Sequence, residues 1–190
     1  MAALTPFCCL SPGPLRAAAA VDTHGVTACA ISGWSDDKDP AGLNVRAGPD
    51  KSAAIIGRIP PERMQGYESI AAEFDIIGSR DGWLLIRDVH YADYGEGKGD
   101  RAVLAGPGWV YADKVRFTIN DNDLRGAPDR AARTVMKLIT PDHTAGPDSA
   151  IIEHVYGCNG AFADILVHLR GPSARGWVTG ICSNQVTTCS

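Results

Sequence analysis

One turn occurs twice in this chain, and that constrains the fold more than any other feature of the sequence. Val45-Arg46-Ala47-Gly48-Pro49-Asp50 leads into the apolar run Ile55-Ile56-Gly57-Arg58-Ile59. Leu124-Arg125-Gly126-Ala127-Pro128-Asp129 leads in the same way into Thr134-Val135-Met136-Lys137-Leu138-Ile139. Before the first turn, Leu43 and Val45 alternate with Asn44 and Arg46, the period of two expected of a half-buried strand. Pro sets one backbone dihedral of the turn, Gly frees another, and Asp bonds to nearby backbone. Two further matches follow in the same order. Asn159-Gly160-Ala161-Phe162 stands where Asp81-Gly82-Trp83-Leu84 stood, and Gly176-Trp177-Val178 where Gly108-Trp109-Val110 stood. Four ordered matches indicate an internal duplication of a short-stranded, all-β unit.

The string Leu43-Asn44-Val45-Arg46-Ala47-Gly48-Pro49, followed by Gly82-Trp83-Leu84 and Gly108-Trp109-Val110, resembles the bacterial Src-homology-3-like (SH3b) domains. The resemblance covers about Ala28 to Val115. It implies an all-β chain of two tandem small SH3-like β-barrels, residues 28–117 and, in a degenerate second copy, 123–190. Residues 118–123 form a short polar linker, and residues 1–27 a leader or disordered segment. The core of the first unit is expected from Leu43, Val45, Ile56, Ile59 and Phe74, with Ile76 or Ile77. Arg46 and Arg125 share one repeat position, and a carbonyl contact or salt bridge across the turn is the expected role of both.

Apolar residues make up 45% of the chain and charged residues 21%, a globular composition. The net charge is −4 with no run of basic residues, which argues against nucleic acid as a partner. No apolar stretch approaches the roughly 20 residues of a membrane span. The first segment contains only one basic residue, Arg16, and is broken by Pro6, Pro12 and Pro14, so it is a poor secretory leader. Val26-Thr27-Ala28-Cys29 resembles a lipoprotein cleavage box, but Asp22, Thr23 and His24 stand where an apolar run belongs. A periplasmic or secreted location is expected, with a lipoprotein as the less favoured form.

Cys8 and Cys9 lie in the leader, leaving Cys29, Cys158, Cys182 and Cys189, which permit three pairings. The preferred pair is Cys158 with Cys182, leaving Cys29 to join Cys189 or stay free; buried reduced thiols are the alternative. His154 and Cys158 have the residue types of a cysteine hydrolase but not the strand-to-helix context, so no catalytic residue is assigned. No cofactor or metal is assigned either. The segment from Asp88 to Pro107 inserts about twenty residues before Gly108-Trp109-Val110, and carries Tyr91 and Tyr94 beside acidic residues. Its Gly95, Gly97 and Gly99 suggest a flexible loop.

The resemblance implies a non-catalytic binding module of the cell envelope, recognising peptidoglycan peptide or glycan; the alternative is a protein–protein interaction or structural module docking on a partner or on itself. Trp34, Trp83, Tyr91, Tyr94, Trp109 and Tyr111 are the candidate ligand-binding aromatics, with Asp36 and Asp37 as a polar rim. Aromatic rings bury much area while losing few rotamers, which suits them to recognition.

Overall fold

The computed structural model describes residues 19–95, 97–187 and 189. The chain is predominantly β. The first copy contains β1 (Thr27–Ser35), β2 (Leu43–Arg46), β3 (Ile55–Ile59), β4 (Arg63–Gln65), β5 (Glu68–Ile70), β6 (Glu73–Arg80), β7 (Trp83–Tyr91), β8 (Arg101–Leu104), β9 (Gly108–Tyr111) and β10 (Val115–Arg116). The second contains β11 (Thr118–Ile119), β12 (Asp123–Arg125), β13 (Thr134–Lys137), β14 (Ile151–Asn159), β15 (Phe162–His168), β16 (Ala174–Val178) and β17 (Ile181–Cys182).

The duplication extends to the sheets. The first sheet runs β10-β1-β6-β7-β9-β2-β3, with β8 added on β7, and the second runs β13-β12-β16-β15-β14. The second order matches the first read backwards, β3-β2-β9-β7-β6, strand for strand. Arg46 pairs with Trp109 between β2 and β9, and Arg125 pairs with Trp177 between β12 and β16. The shared turn repeats bond by bond. The amides of Ala47, Asp50 and Ala53 bond to the carbonyls of Ala54, Gly48 and Asp50, as those of Gly126, Asp129 and Ala132 bond to Arg133, Ala127 and Asp129. Arg46 Nη1 donates to the Ala53 carbonyl at 2.8 Å and Arg125 Nε to the Arg130 carbonyl at 3.3 Å, the carbonyl contacts expected of them.

The alignment of the two hairpins shifts by one residue. Trp83 stands opposite Arg80 across the Asp81-Gly82 turn, and Phe162 opposite Asn159 across Gly160-Ala161. Phe162, not Ala161, therefore takes the place of Trp83. Asp81 (φ 50°) and Gly82 (φ 78°) are both left-handed, the φ pattern of a type I′ turn.

No sheet closes on itself by hydrogen bonds, but the first must curl. β9 and β10 flank β7 and β1, so in a flat sheet they would lie four spacings apart, about 19 Å. Only a three-residue 3₁₀ turn, Ala112–Lys114, joins Tyr111 to Val115. Four residues reach about 13 Å at most, so the sheet must bend to bring the ends of this one segment to both sides of β1-β6-β7.

The two copies do not keep separate cores. Val45, Ile59, Phe74, Ile76, Leu84, Ile86 and Val110 of the first belong to one buried cluster with Leu124, Leu138, Val155, Ile165, Val167 and Val178 of the second. Leu43, Val45, Ile59, Phe74 and Ile76 are buried as expected. Ile56 packs on the cluster's margin, and Ile77 faces the opposite side of the sheet.

The junction is built from β14, whose outer edge has no partner equivalent to β1. β1 of the first copy fills the gap: the Ala30 amide donates to the Gly160 carbonyl and the Gly160 amide to the Ala28 carbonyl. Buried Ser79 donates from Oγ to the Cys158 carbonyl at 2.9 Å and accepts from the Cys158 amide at 3.0 Å. His154 Nδ1 meets Asp113 Oδ1 at 2.5 Å.

This arrangement corrects the expected cysteine pairing. Cys29 is bonded to Cys158, and Cys182 to Cys189. Cys158 lies in β14 against β1, which places it beside Cys29, while Cys182 sits on β17 beyond β16. The Cys158 sulfur is therefore not a thiolate nucleophile, and the Cys29 sulfur is not free for lipidation. The leader assignment is also corrected at its end. Val21 and Val26 pack on Trp83, Leu85 and Trp109, and the Asp22 amide donates to the Ala47 carbonyl at 2.7 Å. Residues 1–18, with Cys8 and Cys9, lie outside the described residues.

The two disulfides span very different separations, 129 and 7 residues. By loop entropy they contribute about 5 and about 2.5 kcal/mol. Cys29→Ala/Cys158→Ala is expected to lower unfolding free energy by about twice as much as Cys182→Ala/Cys189→Ala, measured by urea denaturation.

Candidate functional site

Glycine lets the strands that frame the site approach. A Cβ on Gly108 would overlap Val45 Cγ1, and one on Gly176 would sit 2.6 Å from the Arg125 carbonyl oxygen. Close contact at these points turns the residues after each Gly-Trp-Val toward the repeated turn. In the first copy the result is a groove of about 340 Å³ lined by Asp37, Leu43, Asn44, Arg46, Lys51, Trp83, Tyr111 and Lys114.

Three of the sequence candidates meet in it. Trp83 and Tyr111 pack edge to face with centroids 5.5 Å apart, Trp83 largely buried and Tyr111 42% exposed. Asp37 accepts from Lys114 Nζ at 3.0 Å. Asn44 Oδ1 accepts from Arg58 Nε at 3.1 Å, which orients its amide. The groove thus offers one exposed ring over a buried indole, a carboxylate, and three cations at Arg46, Lys51 and Lys114.

The other candidates do not come together there. Asp36 is beside the groove but is held by Lys38 Nζ at 2.9 Å and Arg116 Nε at 3.3 Å. Trp34 lines a separate hollow with Arg116, Phe117 and Pro147. Trp109 is fully buried on the outer face of the sheet, and its Nε1 donates to the Asp22 carbonyl at 2.7 Å. Arg80 stacks near its ring and pairs with Asp22 at 2.6 Å, which holds the Asp22 carboxyl below the usual range. Tyr91 is buried, its hydroxyl donating to the Pro61 carbonyl at 2.7 Å, and burial raises its pKa.

Tyr94 donates to buried Glu73 and accepts from the Gln185 amide at 3.1 Å. Burial first, and then the bond to Glu73, push its hydroxyl pKa well up. Gln185 also bonds both ways with the Ala71 backbone, at 2.9 and 3.0 Å, so the C-terminal loop is tied to the inserted segment. Trp109, Tyr91 and Tyr94 are held in packing and hydrogen bonds because a small curled sheet draws its large rings inward.

The inserted segment is not the open loop expected of it. Residues 101–104 add β8 to the sheet, and the Asp93 carboxylate accepts from the amides of Gly95, Gly97 and Gly99 at 3.1, 3.2 and 2.6 Å.

The second copy has the same hollow, also about 340 Å³, with different chemistry. Asn122, Asp123, Arg125, Arg130 and Thr179 stand at the positions of Leu43, Asn44, Arg46, Lys51 and Tyr111. No ring lines it. Arg125 Nη1 pairs with Asp121 at 2.7 Å, and Lys137 Nζ with Asp123 at 2.6 Å. The Lys137 bond is the main reason that the Asp123 carboxyl stays below its ordinary range.

Sequence reading missed Lys51 and Lys114. Both follow directly on recognised motifs, Lys51 on the Gly48-Pro49-Asp50 turn and Lys114 three residues after Tyr111. No protein-family model, curated protein or solved structure matches the chain.

The contrast between neighbouring aromatics is directly measurable. Trp109→Ala is expected to cost about 3–5 kcal/mol in unfolding free energy, as large core truncations do. Tyr111→Ala is expected to cost about 1 kcal/mol or less, because its ring is substantially exposed. Equal losses in urea denaturation would show that Tyr111 is part of the core.

Proposed function

We propose that this protein is a non-catalytic binding module built on two SH3-like units, and that the groove of the first unit is its ligand site. The observation that carries the reading is the difference between the two hollows. Duplication placed the same frame twice, and only one copy presents an aromatic ring, with Trp83 and Tyr111 beside Asp37 and Lys114. A ring beside a carboxylate and ammonium groups suits a peptide or sugar chain, which offers apolar faces for stacking and polar groups for hydrogen bonds. Peptidoglycan is the ligand class we favour. Two disulfides support an oxidising compartment outside the cytoplasm. Among the described residues no helix is long and apolar enough to cross a membrane.

A protein partner is the second reading, favoured by the β4–β5 hairpin. Its tip exposes Tyr67 completely and Met64 by 66%. Large apolar side chains exposed together often mark a protein contact.

The full chain is to be sedimented with purified insoluble peptidoglycan beside Tyr111→Ala and, in the second hollow, Arg130→Ala. Retention that falls about tenfold in Tyr111→Ala and stays unchanged in Arg130→Ala is expected, a loss of about 1.4 kcal/mol. A folded wild-type chain that stays in the supernatant would rule out wall recognition and leave the protein-partner reading.

A further inference from the structure

A further hollow of about 360 Å³ opens between β4, β8 and the residues Asp93, Lys98, Gly99 and Asp100. Arg63 of β4 and Arg101 of β8 line it, and both guanidinium carbons lie against the same ring, at 4.5 and 5.3 Å from the centroid of Tyr91. That ring cannot turn away, since Tyr91 is buried and its hydroxyl is held by the Pro61 carbonyl. Both cations thus lie against one fixed ring, which attracts them but leaves their charge unneutralised.

Neither Arg63 nor Arg101 has a carboxylate or carbonyl partner among the described residues, and the Nε–H of Arg63 is buried without an acceptor. A buried donor without a partner is costly and rare. The carboxylates of the same hollow are committed to the loop. Asp93 gathers the amides of Gly95, Gly97 and Gly99, and Asp100 Oδ1 accepts from the Asp93 amide at 2.9 Å. Lys98 lines the hollow as well.

We propose that this hollow is a binding site for an oxyanion, a carboxylate or phosphate group carried by a larger molecule. A guanidinium presents its N–H donors in a planar fork that matches the two oxygens of such a group. The anion would accept from the guanidinium donors of Arg63 and Arg101 that face the hollow, and neutralise both arginines. The hollow exceeds the space of a single ion, at roughly 30 Å³ for each water it displaces, so it accommodates the atoms to which the anionic group is attached.

The test is a titration of the arginine-labelled full chain with sodium phosphate and, separately, with sodium acetate, at fixed pH and ionic strength. The readout is the Arg63 Nε–Hε cross-peak, assigned by its loss in Arg63→Gln. A saturable movement in the millimolar range is expected, weakened about tenfold in Arg101→Gln, whose native fold is checked by its circular dichroism spectrum. Movement with phosphate alone identifies a phosphoryl ligand, with acetate alone a carboxylate, and with both an unselective anion site. A cross-peak that neither salt moves overturns the proposal, as does movement that Arg101→Gln leaves unaltered. Neither result bears on the Tyr111 groove, which is read by sedimentation.

Discussion

The space that glycine leaves at Gly108 and Gly176 is the constraint on which both halves rest. At each point a strand crosses its neighbour so tightly that a single methyl would strike Val45 or the Arg125 carbonyl. The contact fixes the Arg46–Trp109 and Arg125–Trp177 pairs, and with them the position of the following residue on the rim of each hollow. Tyr111 or Thr179 then decides what the hollow offers. A frame set by backbone sterics has been kept in both copies, while the side chains on it have diverged.

The second constraint is incompleteness. In the second copy the strand equivalent to β1 shrinks to the two residues of β11, which pair with β17 as β1 pairs with β10. The edge of β14 is left without a continuous partner, and an open edge is a liability that proteins cover. The first copy covers it, β1 through the Cys29–Cys158 bond and the Ala28 and Ala30 bonds to Gly160, and β6 through Ser79. One buried cluster across both copies follows from this sharing, since a unit of about 70 residues buries too little surface to be secure alone.

The inserted segment shows how polar groups can organise a loop without a core. One carboxylate, Asp93, serves three glycine amides, and Tyr94 joins Glu73 to the C-terminal Gln185. Asp93 is thereby committed to backbone, and among the described residues Arg63 and Arg101 lie against the Tyr91 ring without a carboxylate partner. The hollow beneath the β4–β5 hairpin owes its charge to this division.

By itself the sequence determined the local rules: the all-β character, the duplication, the repeated turn and the roles of Arg46 and Arg125. Each follows from contacts between near neighbours, where residue type and spacing settle the geometry. Leu43, Val45, Ile59 and Phe74 were legible as core for the same reason. Only the tertiary structure decided which aromatics meet a ligand and which cysteines meet each other. Trp109 and Tyr111 stand two residues apart and therefore share a face of β9, yet one lies beneath Val21 and Val26 and the other does not. No periodicity encodes that cover. Cys29 meets Cys158 because one copy borrows a strand from the other, a contact between positions 129 residues apart that no local pattern records.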